Sequence, residues 1–210
     1  MPAARRYDDP CGTARALDVI GERWALLVVR ELLFGPKRFG ALRTGLHGVS
    51  PNVLSQRLRE LEAAGIVRRD HLEPPADVAV YSLTGRGQAL EPILIELGRW
   101  GATEPVTSTE QLSVDALALA LKTTFVPAFD VEVGLRIAGE WFGFSARDGR
   151  CVIDRGRPAG ARVTLDGDSR TLRAYAFGRE SLDEAERSGL IVSGNRTLAR
   201  RFPRLFRVPV

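Results

Sequence analysis

Asn52, Ser55, Gln56 and Arg59 recur at three- and four-residue intervals within residues 50–66, SPNVLSQRLRELEAAGI. At about 100° per residue they share one side of a helix, opposite Leu54, Leu58 and Leu61. Amides, a hydroxyl and a guanidinium on one face are groups that hydrogen-bond base edges and phosphates. Cations cluster nearby at Lys37-Arg38, Arg57/Arg59 and Arg68-Arg69. The candidate nucleic-acid contacts are therefore Lys37, Arg38, Ser50, Asn52, Ser55, Gln56, Arg59, Arg68 and Arg69.

Other chemistries find little to build on. His47 and His71 are the only histidines, and neither has a Cys or His at ligand spacing, so neither a metal centre nor a cofactor is expected. No Ser/His or paired-carboxylate arrangement stands out, which argues against an enzyme. Cys11 and Cys151 are too few for a disulfide framework. The net charge of +4 is compatible with a polyanionic partner. It is spread thinly, with 14 Lys and Arg against 13 Asp and Glu in residues 1–105, so local clusters must carry any contact. No run of about 18 apolar residues or apolar leader is present, so a cytoplasmic protein without membrane association is expected.

The segment at 50–66 carries its own boundaries. Ser50 is suited to capping, Pro51 is preset for a first turn, and Gly65 suits a left-handed cap after Ala64. Upstream, residues 13–20 and 39–46 pattern as short amphipathic helices. Residues 24–34, WALLVVRELLF, are apolar on most sides and suit the buried centre of a small bundle. His47-Gly48-Val49 makes a tight turn into residue 50, so two helices are joined as in a helix-turn-helix. Downstream, residues 67–72 and 78–83 are β-prone and flank a proline-stiffened tip at 73–77. Helix, turn, helix and hairpin predict a winged helix-turn-helix. A further helix from Pro92 carries Ile93, Leu94, Leu97 and Trp100 on one side, a stripe that a second subunit would cover.

These residues resemble the HxlR family of bacterial winged-helix transcriptional regulators. The likeness runs through Cys11, Gly21, Trp24, Arg30-Glu31-Leu32, Gly35-Pro36, Arg38-Phe39, Leu42-Arg43, Ser50-Pro51, Val53-Leu54-Ser55, Arg57-Leu58, Gly65 and Tyr81-Ser82-Leu83-Thr84. It implies a homodimer whose helix from Ser50-Pro51 reads the major groove of a double-stranded operator. The chain departs from the family at the wing, where Ala76-Asp77 replaces the expected arginine, and at Asn52 and Gln56, which stand in for charged residues. Both amides suit adenine, so some A·T-directed readout is expected. The resemblance also makes Cys11, just ahead of the first helix, a candidate redox sensor.

Beyond a polar linker at 103–111 the pattern changes. Residues 113–125 read as a helix, 131–137 alternate with period two, and Asp148-Gly149 is a strong hairpin turn. Strands at 150–155 and 161–166, helices at 169–177 and 181–188, a strand at 190–193 and a helix at 197–202 complete an α+β domain with an antiparallel sheet. Residues from Ala161-x-Val163-Thr164-Leu165 through Leu182-Asp183-Glu184-Ala185 to Gly194-Asn195 resemble an SCP2-type sterol-carrier domain. That likeness implies an apolar tunnel for a small hydrophobic ligand, with Phe125, Phe129, Trp141, Phe144, Phe177 and Leu190 as candidate lining.

The expectation is thus two domains, a mainly α winged helix-turn-helix at 1–102 and an SCP2-like α+β domain at 112–210. Together they would form a homodimeric DNA-binding transcriptional regulator, a repressor, whose second domain senses a hydrophobic ligand. Two alternatives stay open. One is a lipid or polyketide carrier with a winged helix that does not bind DNA. The other is a regulator switched through Cys11, with a purely structural second domain.

Overall fold

The computed structural model describes residues 7–73, 77–105 and 107–207. The chain divides into two compact units, Met1–Leu94 and Ile95–Val210.

The first unit opens with α1 (Gly12–Ile20), α2 (Ala25–Leu32), α3 (Phe39–Gly45) and α4 (Pro51–Ala63). An antiparallel hairpin follows, β1 (Val67–Leu72) and β2 (Val78–Leu83), pairing Val67 with Leu83 and Leu72 with Val78. Its expected tip at Pro74-Pro75-Ala76 lies outside the described residues. The one-turn helix α5 (Gly85–Gln88) leads into α6 (Glu91–Gly101). Ala25, Val28, Val29 and Leu32 of α2 are buried with Leu42, Leu54, Leu58 and Leu61, so α2 is the central helix that its apolar sequence called for.

One charge sits in this core. Glu31 of α2 is fully buried, yet it accepts from Arg30 Nη2 at 2.9 Å and from Lys37 Nζ at 2.8 Å. Lys37 also exchanges two backbone hydrogen bonds with Tyr81 of β2, at 2.8 and 2.9 Å. Arg30 Nη2 reaches the Gly45 carbonyl at 3.5 Å. A Cβ on Gly45 would fall 2.1 Å from Glu31 Oε2, so the end of α3 approaches the carboxylate as only glycine permits. A single buried anion thereby ties α2, α3 and the hairpin together.

Division of the chain falls inside α6, ahead of the expected boundary at residue 102. The last turns of α6 hold to α7 (Val114–Thr124), with Arg99 Nε donating to the Thr123 carbonyl at 3.1 Å. Gly98 meets the Thr123 side chain closely enough that an added Cβ would lie 3.2 Å from it.

After α7 the second unit builds β3 (Val131–Ile137), β4 (Glu140–Arg147), β5 (Arg150–Arg155) and β6 (Val163–Gly167). Ala138-Gly139 and Asp148-Gly149 all have positive φ, the geometry of tight two-residue hairpin turns. Then come α8 (Ser169–Ala176), α9 (Leu182–Arg187), β7 (Ile191–Gly194), α10 (Arg196–Arg201) and a 3-10 turn, Phe202–Leu205. The strands order as β5-β4-β3-β6-β7. Here the expected antiparallel sheet is corrected to a mixed one, because β6 runs parallel to β3, Val133 opposite Val163. The chain leaves β5 at one side and crosses over to the far side of β3, and a crossover of that kind returns a strand in parallel.

Alternation gives the sheet two unlike faces. Val133, Leu135, Phe142, Phe144, Ile153, Val163 and Leu165 are buried on one. Arg136–Asp166 and Arg147–Glu132 ion pairs lie on the other. Asp115 of α7, fully buried, pairs with Arg155 at 2.6 Å, while Arg155 also bonds Glu140 and lies 4.7 Å over the Phe142 ring. Burial alone would lower the Arg155 pKa, but the two carboxylates hold it above its ordinary value.

Two predictions test these cores. Lys37→Met keeps the stem and deletes the charge, leaving Glu31 short of a partner; it should cost about 3 kcal/mol in denaturant unfolding. A variant as stable as the parent would show that the ion pair is dispensable. In the second unit Tyr175 is buried and its hydroxyl donates to the Ala199 carbonyl. Burial pushes its pKa up to about 12, against about 10 in an unfolded chain. The protonated phenol's contribution is therefore whole below about pH 10 and is lost as pH climbs through 12. Tyr175→Phe should start about 1 kcal/mol less stable and lose less between pH 10 and 12 than the parent. Parallel pH profiles would rule out this linkage.

Candidate nucleic-acid interface

Helix α4 forms as its sequence dictates. Ser50 caps it, its Oγ accepting from Val53 N at 3.3 Å, and Pro51 occupies the first turn. Gly65, at φ +68, ends it; Ile66 N bonds Leu61 O and Gly65 N bonds Glu62 O, both at 2.9 Å. Arg86 Nη1 adds a third hydrogen bond, to the Ala64 carbonyl at 2.6 Å, placing a cation at the negative end of the helix dipole. Gly48, at φ +82, makes the turn from α3. Helix α4 is thus held at both ends by local chemistry.

With Leu54, Leu58 and Leu61 buried, the remaining face of α4 is turned to solvent. Ser50, Asn52, Gln56 and Arg59 are exposed, and Ser55 is half-buried. Gln56 Nε2 donates to Glu60 at 3.0 Å, an exposed bond that a stronger acceptor can displace. Arg59 forms no ion pair among the described residues. Arg38, at the start of α3, and Arg69, on β1, are likewise exposed and unpaired among the described residues. Arg43 of α3, absent from the sequence-derived set, shares that status. Its place in a short amphipathic helix ahead of the turn was the available signal.

Three of the basic residues are placed differently. Lys37 is committed to Glu31, with its side chain 13% exposed, so its charge holds the core together. Arg57 is buried against Glu60 and reaches Glu22 at 3.5 Å, pinning α4 to the turn after α1. Its i−3 and i+4 neighbours, Leu54 and Leu61, are both buried, which is why it turns inward while Arg59 does not. Arg68 Nε shares Asp70 and Ser82, each at 3.0 Å, across the hairpin, so its charge is half-answered. Sequence reasoning places each of the three in its own basic cluster, Lys37-Arg38, Arg57/Arg59 and Arg68-Arg69, because charge is legible without its partner.

Cys11 is exposed and caps α1, Sγ accepting from Ala14 N at 3.3 Å. Arg15 and Asp9 flank it, and Asp9 accepts the Cys11 backbone N–H at 2.8 Å.

The aromatic set of the second unit separates. Phe144 packs edge-on against Phe125, Phe202 and Phe206, at 6.4, 5.3 and 5.7 Å, and Phe206 also meets Phe177 at 6.2 Å. Phe125, Phe144 and Phe177 are thus brought together as a packed cluster. Trp141 is not with them. Alternation along β4 turns it to the opposite face, near Arg157 at 5.1 Å and Arg136 at 6.0 Å. Phe129 lies under Arg201 at 4.1 Å, and Leu190 is buried beside Gly167. Among the described residues no cluster of His, Cys, Asp or Glu could hold a metal ion, and no helix is long and apolar enough to cross a membrane.

The HxlR-like helix-turn-helix family matches residues 19–107. The HTH-type transcriptional regulator YvaP of Bacillus subtilis is 46% identical over 91 residues, which is 43% of this chain and 82% of that protein. The regulator sll1512 of Synechocystis is 41% identical over 93 residues, covering 44% of this chain and 68% of its own. Among solved structures, the reduced form of the transcriptional regulator YodB from B. subtilis is 33% identical, covering 44% of this chain and 92% of that chain, with a TM-score of 0.41. With that family match and a 46% identical relative covered over 82% of its length, this chain belongs to the HxlR-like helix-turn-helix family of transcriptional regulators.

Proposed function

We propose that the chain is a homodimeric repressor that lays α4 in the major groove of duplex DNA, with its second unit receiving a signal. The observation that carries this reading is the α4 face itself. Asn52, Gln56 and Arg59 are exposed on a helix held at both ends, and Arg59 has no carboxylate partner among the described residues. Asn52 and Gln56 would read base edges, with adenine the best fit; Arg59, Arg38 and Arg69 would meet phosphates. Ser50 and Ser55 add hydroxyls, and Arg68 keeps a side chain 64% exposed at the wing. Lys37 is left out of the contact set because Glu31 holds it.

Dimerisation is supported by α6. Ile93, Leu97 and Trp100 are 49%, 44% and 70% exposed at i, i+4 and i+7, an apolar stripe that a second copy would bury. Two copies would set two α4 helices on half-sites about 34 Å apart. In the domain reading that goes with this, residues 1–102 contact DNA, 103–111 link, and 112–210 receive a ligand in the manner of an SCP2-like carrier. A hydrophobic ligand at Phe125, Phe144, Phe177 and Leu190 would have to displace the edge-on packing found there. Any ligand acts only through tighter binding to one dimer geometry than to the other. Such a repressor works in the cytoplasm, where its operator is.

Arg59→Ala should weaken binding to a duplex recovered by in vitro selection by about tenfold or more and leave thermal unfolding unchanged. The slope of log affinity against log salt should become shallower by about one. Equal affinity and an equal slope would remove Arg59 from the interface.

A second reading rests on the exposure of Cys11. If its thiol is the switch, hydrogen peroxide should release the parent protein from that duplex and leave the Cys11→Ser complex intact. Release of both alike, or of neither, would end the redox reading.

A further inference from the structure

Several clefts open on the surface of the second unit, and one of them gathers arginines. Residues 108–112, helix α8 and the turn after it surround a cleft of about 570 Å³. Small-molecule sites commonly occupy about 300–1,000 Å³. Helix α8 sets Arg170 and Arg173 one turn apart along the wall. At the end of α8 the chain reverses at Gly178, φ +69, with Arg179 N bonding Ala174 O at 2.9 Å and Gly178 N bonding Tyr175 O at 3.1 Å. That closure returns Arg179 to the same cleft. Leu112 and Ala174 supply apolar lining, and Glu110 and Glu180 are the carboxylates present.

What sets this cleft apart is the gathering of three such cations in one place. Arg136, Arg147, Arg155, Arg196 and Arg200 each pair with a carboxylate. Arg170, Arg173 and Arg179 form no ion pair among the described residues, although they converge on one cavity. Glu180 Oε2, shut away from solvent, has no hydrogen-bond partner among the described residues. Buried carboxylate oxygens ordinarily accept a bond, so this one is short of a donor. Guanidinium groups recognise carboxylates and phosphates through paired, charge-assisted hydrogen bonds.

We propose that this cleft binds a small organic anion, a carboxylate or phosphate ester on an apolar body. Its charge meets Arg170, Arg173 and Arg179, and its apolar part lies on Leu112. Binding here is independent of the DNA-reading proposal and needs no opening of the aromatic cluster.

Isothermal titration of the full chain at low salt tests the site, with 1-naphthoate, 1-naphthyl phosphate, the neutral 1-naphthalenemethanol and inorganic phosphate as probes. At least one of the two naphthyl anions should saturate a single site per chain, and comparing them separates carboxylate from phosphate preference. Naphthalenemethanol and inorganic phosphate should each bind about tenfold or more weakly. The double variant R173A/R179A should weaken the naphthyl anion by about tenfold or more, and Glu180→Gln, which removes a like charge, should tighten it severalfold. Arg170→Ala gives a second reading should the double variant unfold. Absence of saturable binding by both naphthyl anions, affinities unmoved by these substitutions, or inorganic phosphate binding as well as the naphthyl anions would each overturn the proposal.

Discussion

A carboxylate buried in a helical core is a demand on everything around it. Glu31 meets no water, and an unanswered charge there would cost several kcal/mol. Arg30 beside it and Lys37 beyond the end of α2 answer it, and Gly45 of α3 comes close, so the demand becomes a geometric rule. Lys37 must reach inward, which sets the hairpin through Tyr81, and Gly45 must lack a side chain, which sets how near α3 can come. The α3-to-α4 turn follows directly on Gly45. The placement of α4 thus leans on an ion pair anchored in the helix behind it.

The second unit solves its burial problem with rings where the first uses charge. Phe144 stands among Phe125, Phe202 and Phe206, and edge-on aromatic contacts fill the space between sheet and helices. Charged groups are displaced to the other face of the sheet or to the ends of helices. Arg155 is the exception, reaching the buried Asp115 with its guanidinium over Phe142. Apart from that packing, one cleft gathers three arginines that form no ion pair among the described residues.

Local chemistry was legible in the residue string. The cap Ser50-Pro51, the stop at Gly65, the Asp148-Gly149 turn and the alternation of 131–137 are short-range signals, and each sits within one residue of where the chain uses it. The polar face of α4 was legible for the same reason, since helical periodicity alone separates Arg59 from Leu58. What escaped were pairings between distant residues. Nothing local reveals that Lys37 serves Glu31, that Arg57 turns inward to Glu22, or that β6 returns parallel to β3. Trp141 and Phe144 illustrate the middle case: three residues apart on a strand, they must lie on opposite faces, and listing both as one pocket overlooked the period of two. The ionisable Arg30-Glu31 pair inside an apolar helix was the one visible hint of the buried network.

The crossover that makes β6 parallel to β3 also dictates when each unit can be finished. In the first unit every described partner is available once residue 94 has been made, and helices with a neighbouring hairpin close over short stretches of chain. The second cannot seat β3 on both sides until residue 163 arrives, nor close the aromatic cluster before Phe206 returns to Phe125. Contacts between distant positions form slowly, and domains near the N-terminus fold first during synthesis. On the ribosome, then, the helix-turn-helix is complete while the sheet still waits for its last strand.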